Sequence, residues 1–164
     1  MRGLVGTLVF MAISGLTTCL WFDDQAEEAA NFYVNIFPGS KITGMDYYQD
    51  HPIKPAGSVL TVQFELFGHP FLALNGGPQF SHSEAVSFQV TGETQDEIDF
   101  LWNSLIADGG QESQCGWCKD KFGVSWQVIP TQLGELLSNS DPNKSKPAWQ
   151  AMMEMTKIII ADLQ

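Results

Sequence analysis

The strongest constraint on this chain is the order in which its hydrophobic periods follow one another. A run of period two, Leu16 to Phe22, gives way to helical spacing at Ala26, Ala29, Ala30, Tyr33, Val34 and Phe37. Three more strand candidates follow, Lys41 to Tyr48, Gly57 to Leu66 and Pro70 to Asn75, the last two joined by a tight "FGH" turn. The same order then recurs. Glu84 to Val90 alternates, the helix in "TGETQDEIDFLWNSLIADGG" carries Ile98, Leu101, Trp102, Leu105 and Ile106, and strands return at Gln111 to Cys118 and Val124 to Ile129. Strand, helix, then several antiparallel strands, twice over, suggests an α+β domain made by duplication of a βαβββ unit, although no strong residue-level repeat accompanies it.

The helix boundaries have recognisable signals. Asp23 or Asp24 is placed to cap the first helix, with Glu27 as the capping-box acid and "FPGS" as its stop, while a threonine opens the second and a glycine pair closes it. Beyond Thr131 a short helix, a break at "SDPNKSKPA", a helix from about Lys146 to Met155 and the apolar "KIIIADL" form a C-terminal extension, 131–164. The two units occupy about 16–75 and 84–130 of one domain, 16–164. The start, 1–15, has one arginine, an apolar run and small residues near Ala12 and Ser14, as in a weak secretory signal. It is too short to span a bilayer. An extension or a misplaced start, Met11 being a second natural one, is the preferred reading.

With 164 residues and 44% apolar content, one domain with a real core is affordable. Nineteen acidic against eight basic residues give a charge of −11, which disfavours nucleic acid and anionic membrane as partners, since both need a basic patch. Three cysteines fit a reduced, cytoplasmic compartment better than a disulfide scaffold. "CGWC", Cys115 to Cys118, has redox spacing, but in an extended segment residues three apart point to opposite faces and cannot bridge. Cys19 reads as a small core residue, and Trp21, Trp102 and Phe32 as core aromatics.

One strand, "DKFGVSWQVIP", carries an odd amide. Val124, Trp126 and Val128 lie on one side of it and Ser125, Gln127 and Ile129 on the other, so Gln127 belongs to a definite face. His82 and Glu84, two residues apart, would share one face of a strand as a half-site for a metal or an acid and base pair. A histidine in a loop before a strand is more commonly just solvated, and His51 and His69, beside prolines, read as surface residues.

The words "LWFDDQAEEAANFYVNIFPGSKI", "FLALNGGPQF", "EAVSFQV", "TQDEIDFLWNSL", "CGWCKDKFGVSWQVIP" and "MMEMTKIIIADL" resemble the PhnB-like branch of the vicinal oxygen chelate superfamily, which also contains glyoxalases and bleomycin- and fosfomycin-resistance proteins. The resemblance runs from about Leu16 to the C-terminus. It implies paired βαβββ modules forming an open, cupped barrel, usually completed in a homodimer. In metal-using relatives the ligands come from the first strand of each module and the final strand. The resemblance puts Thr18, Ser83 and Gln127 near those three positions. These are neutral oxygens where a divalent cation wants charged or imidazole ligands.

The expected site is therefore a cup in which Thr18, Phe22, Ser83, Trp117 and Gln127 contact a ligand, with no metal and no cofactor; His82 and Glu84 are the residues that would hold a metal if one were used. The expected function is binding of a small, partly apolar metabolite by a homodimer, by hydrogen bonds from small polar groups in an apolar concavity. Whether the chain is an enzyme stays open. The alternatives are a metal-dependent lyase or dioxygenase, or the 3-demethylubiquinone-9 3-methyltransferase activity by which the branch is often labelled. On the usual Rossmann-like scaffold, that activity would need a Gly-rich strand-to-helix turn, which Gly76-Gly77 and Gly109-Gly110 do not form.

Overall fold

A computed structural model describes residues 14–50, 52 and 54–163. His51 and the signal-like run 1–13 lie outside the described residues. The first unit consists of β1 (Thr18–Phe22), α1 (Ala26–Ile36), β2 (Lys41–Tyr47), β3 (Val59–Leu66) and β4 (His69–Asn75). The second consists of β5 (Ser87–Gly92), α2 (Gln95–Leu105), β6 (Gln111–Glu112), β7 (Trp117–Lys119) and β8 (Ser125–Pro130). Each builds its own four-stranded mixed sheet, ordered β1-β4-β3-β2 in one and β5-β8-β7-β6 in the other. In each, the first strand runs parallel to the last and the remaining pairs are antiparallel. The duplication is thus complete at the level of topology, and there is no closed barrel.

A residue-level trace of the repeat survives at the turns. Phe67-Gly68 joins β3 to β4, and Phe122-Gly123 lies between β7 and β8, with Gly68 at φ 77° and Gly123 at φ 84°. Phe67 itself has φ 51°, which a two-residue hairpin of the primed type demands of its first central residue.

Each sheet buries one face under its helix. Ala26, Ala29, Ala30 and Tyr33 of α1 are fully buried, and three small alanines let the helix lie close to Leu20, Phe22, Val62, Phe64 and Ala73. On α2, Ile98, Leu101, Trp102 and Leu105 do the same over Val128 and Trp126. The two halves then share a core: Trp126 lies 5.5 Å from Tyr33, 5.3 Å from Phe37 and 5.3 Å from Phe88, and Phe71 meets Phe88 at 5.3 Å. Aromatic side chains of this size bury roughly 150–250 Å², ~4–6 kcal/mol each at ~25 cal/mol per Å².

Several local expectations are corrected. The N-cap of α1 is Gln25, without a side-chain cap; the donor at Ala26 N is instead taken by Asn75 Oδ1 at 2.8 Å, so neither Asp23 nor Asp24 caps the helix. At α2 the expected threonine cap is a full capping box between Thr94 and Glu97. The run Gln111 to Cys118 is not one strand, because Cys115 at φ 58° and Gly116 at φ 81° turn the chain between β6 and β7. The strand expected from Glu84 begins at Ser87. Cys19 is exposed and Trp21 and Phe32 are half-buried, so only Trp102 of the three aromatics is wholly core.

The extension forms α3 (Leu133–Leu137), α4 (Pro142–Glu154) and a terminal 3-10 turn, Ile160–Leu163. Pro142 sits at the start of α4 behind the cap Asp141, which moves that start upstream of the expected Lys146. Among the described residues no helix is long and apolar enough to cross a membrane.

Candidate functional site

Alternation along each strand decides what the uncovered faces display. In β1, Leu20 and Phe22 are paired with Ala73 and Asn75 and lie buried on the helix side, which leaves Cys19 and Trp21 on the open side beside Leu72 and Leu74. Thr61 and Gln63 of β3 share that open face. In the second sheet, Trp126 and Val128 point to the helix, while Gln127 and Ile129 are half-buried on the other side with Ser125, which is itself buried, beside Ser87, Gln89 and Thr91 of β5. Trp117 and Lys119 of β7, opposite Gln127 and Ser125, complete the face.

Gln127 sits in the middle of this second open face. Its Nε2 donates to Ser87 Oγ at 2.8 Å, and Gln89 Nε2 approaches Gln127 Oε1 at 3.5 Å, too long for more than a weak bond. An amide and a hydroxyl so arranged offer both donors and acceptors to a ligand but no charge.

Ser125 links this face to a cleft of about 260 Å³ at the junction of the two units, lined among others by Thr18, Cys19, His82, Ser83, Val86 and Phe88. The cleft exists because the connection 76–86 leaves β4, passes beside Trp21 and returns to β5. Trp21 Nε1 donates to Gly77 O at 2.7 Å, and a Cβ at Gly76 would lie 2.2 Å from the indole, so glycine is required for that close pass. His82 forms the wall of the cleft. Its ring packs edge-on to Phe22 at 5.3 Å, and Nε2 is buried without a hydrogen-bond partner. Burial lowers the His82 pKa, against the opposing pull of Asp120 and of a hydrogen bond to the Trp21 backbone. A neutral imidazole is thereby favoured.

The expected site residues are thus partly assembled. Thr18, Ser83 and His82 share the junction cleft, and Ser125 joins it to the face that carries Gln127. Trp117 and Glu84 line a neighbouring depression on the far side of Ser125. Phe22, only 4% exposed, belongs to the core of the first unit, although its edge reaches a further groove past His82. Thr18 is on the helix side of β1 and its Oγ1 lies 3.1 Å from Nε2 of the exposed His69. Ser87, Gln89 and His69 are residues of the site that sequence reasoning does not single out, whereas it already puts Ser125 on the face of Gln127. The polar phase at 87, 89 and 91 was available as a signal, but its meaning depends on the β5–β8 register.

His82 and Glu84 do not converge as a pair of cation ligands. They face different depressions, and Glu84 is paired with Lys119, which holds its carboxylate below the usual range. Among the described residues no group of three or more His, Cys, Asp or Glu is placed to hold a metal. The thiols are also dispersed: Cys115, in the turn, and Cys118, in β7, are both free.

Comparison with known proteins agrees with this architecture. A family model described as 3-demethylubiquinone-9 3-methyltransferase matches residues 14–129. The PhnB protein of Bacillus cereus superposes with a TM-score of 0.64 at 34% identity, over 71% of this chain and 98% of that one. Protein PA1353 of Pseudomonas aeruginosa (TM-score 0.57, 21% identity, 70% and 96% covered) and the fosfomycin resistance protein FosX of Listeria monocytogenes (TM-score 0.51, 16% identity, 75% and 98% covered) share the fold. No curated protein sequence matches significantly. With two βαβββ units in the same order and the family's match covering both, the chain belongs to the PhnB-type 3-demethylubiquinone-9 3-methyltransferase family.

Proposed function

We propose that this protein binds a small, partly apolar metabolite without a metal, using the open face of the second sheet and the adjoining junction cleft. The observation that carries the reading is the neutral cluster of Gln127, Ser87 and Gln89 on that face, and the family resemblance sets Gln127 against the carboxylate of metal-using relatives. Such a group orients a ligand by hydrogen bonds, while Trp117, Val86 and Phe88 supply apolar contact. Thr18, Ser83 and His82 extend the polar lining at the junction.

The active form in this reading is a homodimer. Each open sheet leaves one face uncovered, that of the first unit displays Trp21, Leu72 and Leu74, and Leu16, Phe80 and Val86 stand exposed. A second copy is the partner that would cover such faces symmetrically. Methyl transfer, named in the family's description, draws no support from the two strand-to-helix turns, 23–25 and 93–94, neither of which contains glycine.

A thermal-shift screen of neutral metabolites, run with and without chelator, tests the proposal. Stabilisation that survives chelation and is weakened in Gln127→Leu is the expected result. Stoichiometric, tightly bound Fe, Mn, Ni or Zn in the purified protein would overturn it, and sedimentation as a monomer at micromolar concentration would remove the homodimer.

A further inference from the structure

We infer that the C-terminal segment 131–163 is a fixed end wall of the second sheet's open face and limits the ligand beside Gln127 to compact molecules. The inference rests on the binding reading above. The family match ends at residue 129, so the segment lies beyond the matched residues.

The wall stands where the open face would otherwise continue. Ile129 lies two residues past Gln127 on the same side of β8, and it packs against Leu133, Met152, Ile158 and Leu163. Ile158 is fully buried and Leu163 is 2% exposed, so this is a true satellite core and not a loose tail. At ~3.4 Å per residue, a ligand hydrogen-bonded to Gln127 has about 7 Å to run along β8 before it meets Ile129.

Three separate anchors hold the segment in place. Cys115 N donates to Met155 O and Gly116 N to Thr156 O, each at 2.8 Å, which adds a short backbone pairing beside β7. Gln95, at the start of α2, donates from Nε2 to Ile158 O at 3.2 Å and accepts at Oε1 from Ile160 N at 2.9 Å. Lys157 pairs with Asp99, four residues further along the same helix. Gly116 makes the close approach possible: a Cβ there would lie 2.8 Å from Val128 O and 3.1 Å from both Ile129 and Ile158, at a φ of 81° that a side chain already disfavours.

The test uses straight-chain primary amides, from butanamide to decanamide, titrated against the full-length protein by calorimetry. The amide head complements Gln127, and chain length probes the wall. Short members are expected to bind, with affinity dropping about tenfold or more once the chain outgrows the space. Ile129→Ala and Ile158→Ala should each move that drop to longer chains; if Ile158→Ala fails to fold, Ile129→Ala, on the partly exposed sheet surface, still decides. Binding with no length limit, or with a limit unmoved by Ile129→Ala, overturns the wall and leaves the binding reading intact. Failure of every amide to bind counts instead against the binding reading, and against the wall with it. Hydrogen exchange gives an arm free of ligand: the Cys115 and Gly116 amides should be among the slowest in the protein, and fast exchange there overturns a fixed wall.

Discussion

Tyr33 of the first repeat donates its phenolic hydrogen to Asp120 Oδ2 of the second at 2.8 Å, across the core that joins them. Trp126 Nε1 donates to the same oxygen at 2.8 Å, and the Phe122 and Val124 amides donate to Oδ1 at 2.9 and 3.0 Å. Asp120 is 3% exposed, and burial raises its pKa even though all four donors pull it down. The carboxylate is thus the hub of a buried network whose four donors are all neutral groups. Asp120→Ala, which strands the donors, should cost about 3 kcal/mol or more. Asp120→Asn turns an amide N–H towards the Trp126 indole, which can only donate, so the expected loss is about 1–3 kcal/mol. Tyr33→Phe should cost about 1–2 kcal/mol. Urea denaturation at neutral pH checks the order; equal midpoints for Asp120→Ala and wild type would show that the hub contributes nothing.

His82 predicts a pH dependence of stability. Its folded pKa is held below the ordinary 6.5, chiefly by burial, with Asp120 opposing the shift. The unfolded chain therefore binds the proton more readily. Stability from this residue is fully present above about pH 6.5 and is lost as the pH falls through the folded pKa. His82→Phe should flatten the decline in melting temperature between about pH 7 and pH 5 relative to wild type. Parallel slopes for the two proteins over that window would rule His82 out as the source.

What can be read from sequence here follows the range of the interaction concerned. The Thr94–Glu97 capping box is local and was legible in "TGETQDE"; so was the face of Gln127, because period two needs no tertiary information. The partners of Gln127 were not legible, since Ser87 and Gln89 are about forty residues away and reach it only through the β5–β8 register. Period two also left open which side of β1 the helix covers. Thr18 shares the phase of Leu20 and Phe22, and only the sheet pairing puts that phase under α1, with Cys19 and Trp21 left outside. Nothing local marks Asp120 as a core residue, because Tyr33 arrives from the other repeat to meet it.

The thiols give a chemical prediction. Cys118 is buried in β7, and burial, with lesser contributions from Asp120 and Glu112, pushes its pKa up to about 12. Cys19 is exposed, although partial burial of its sulfur raises its pKa as well. Since the thiolate is the nucleophile, iodoacetamide at about pH 8 should label Cys19 in the folded protein and Cys118 only after unfolding. Peptide mass spectrometry over a time course reads this directly. Early labelling of Cys118, or a Cys115–Cys118 disulfide in protein kept in air, would contradict the structure.

The start of α1 offers the sharpest contrast between what sequence suggests and what the fold does. Asp23 and Asp24 look like N-caps, yet both are exposed and neither accepts the helix's first amide. Asn75, at the end of β4, does so from across the sheet. Its Oδ1 takes the Ala26 N–H at 2.8 Å and its Nδ2 donates to Val59 O at 3.0 Å, while the residue is 5% exposed. Removing Asn75 strands a buried donor and a buried acceptor at once, so Asn75→Ala should cost about 2 kcal/mol or more. Asn75→Asp keeps the acceptor next to the positive helix end but loses the bond to Val59 and buries a charge, so a loss of about 1–3 kcal/mol is expected. Asp23→Ala and Asp24→Ala remove only a favourable charge near the helix end, worth about 0.3–1 kcal/mol when exposed. Urea midpoints for the four variants separate the possibilities, and a loss in Asp23→Ala or Asp24→Ala as large as in Asn75→Ala would return the cap to the aspartate.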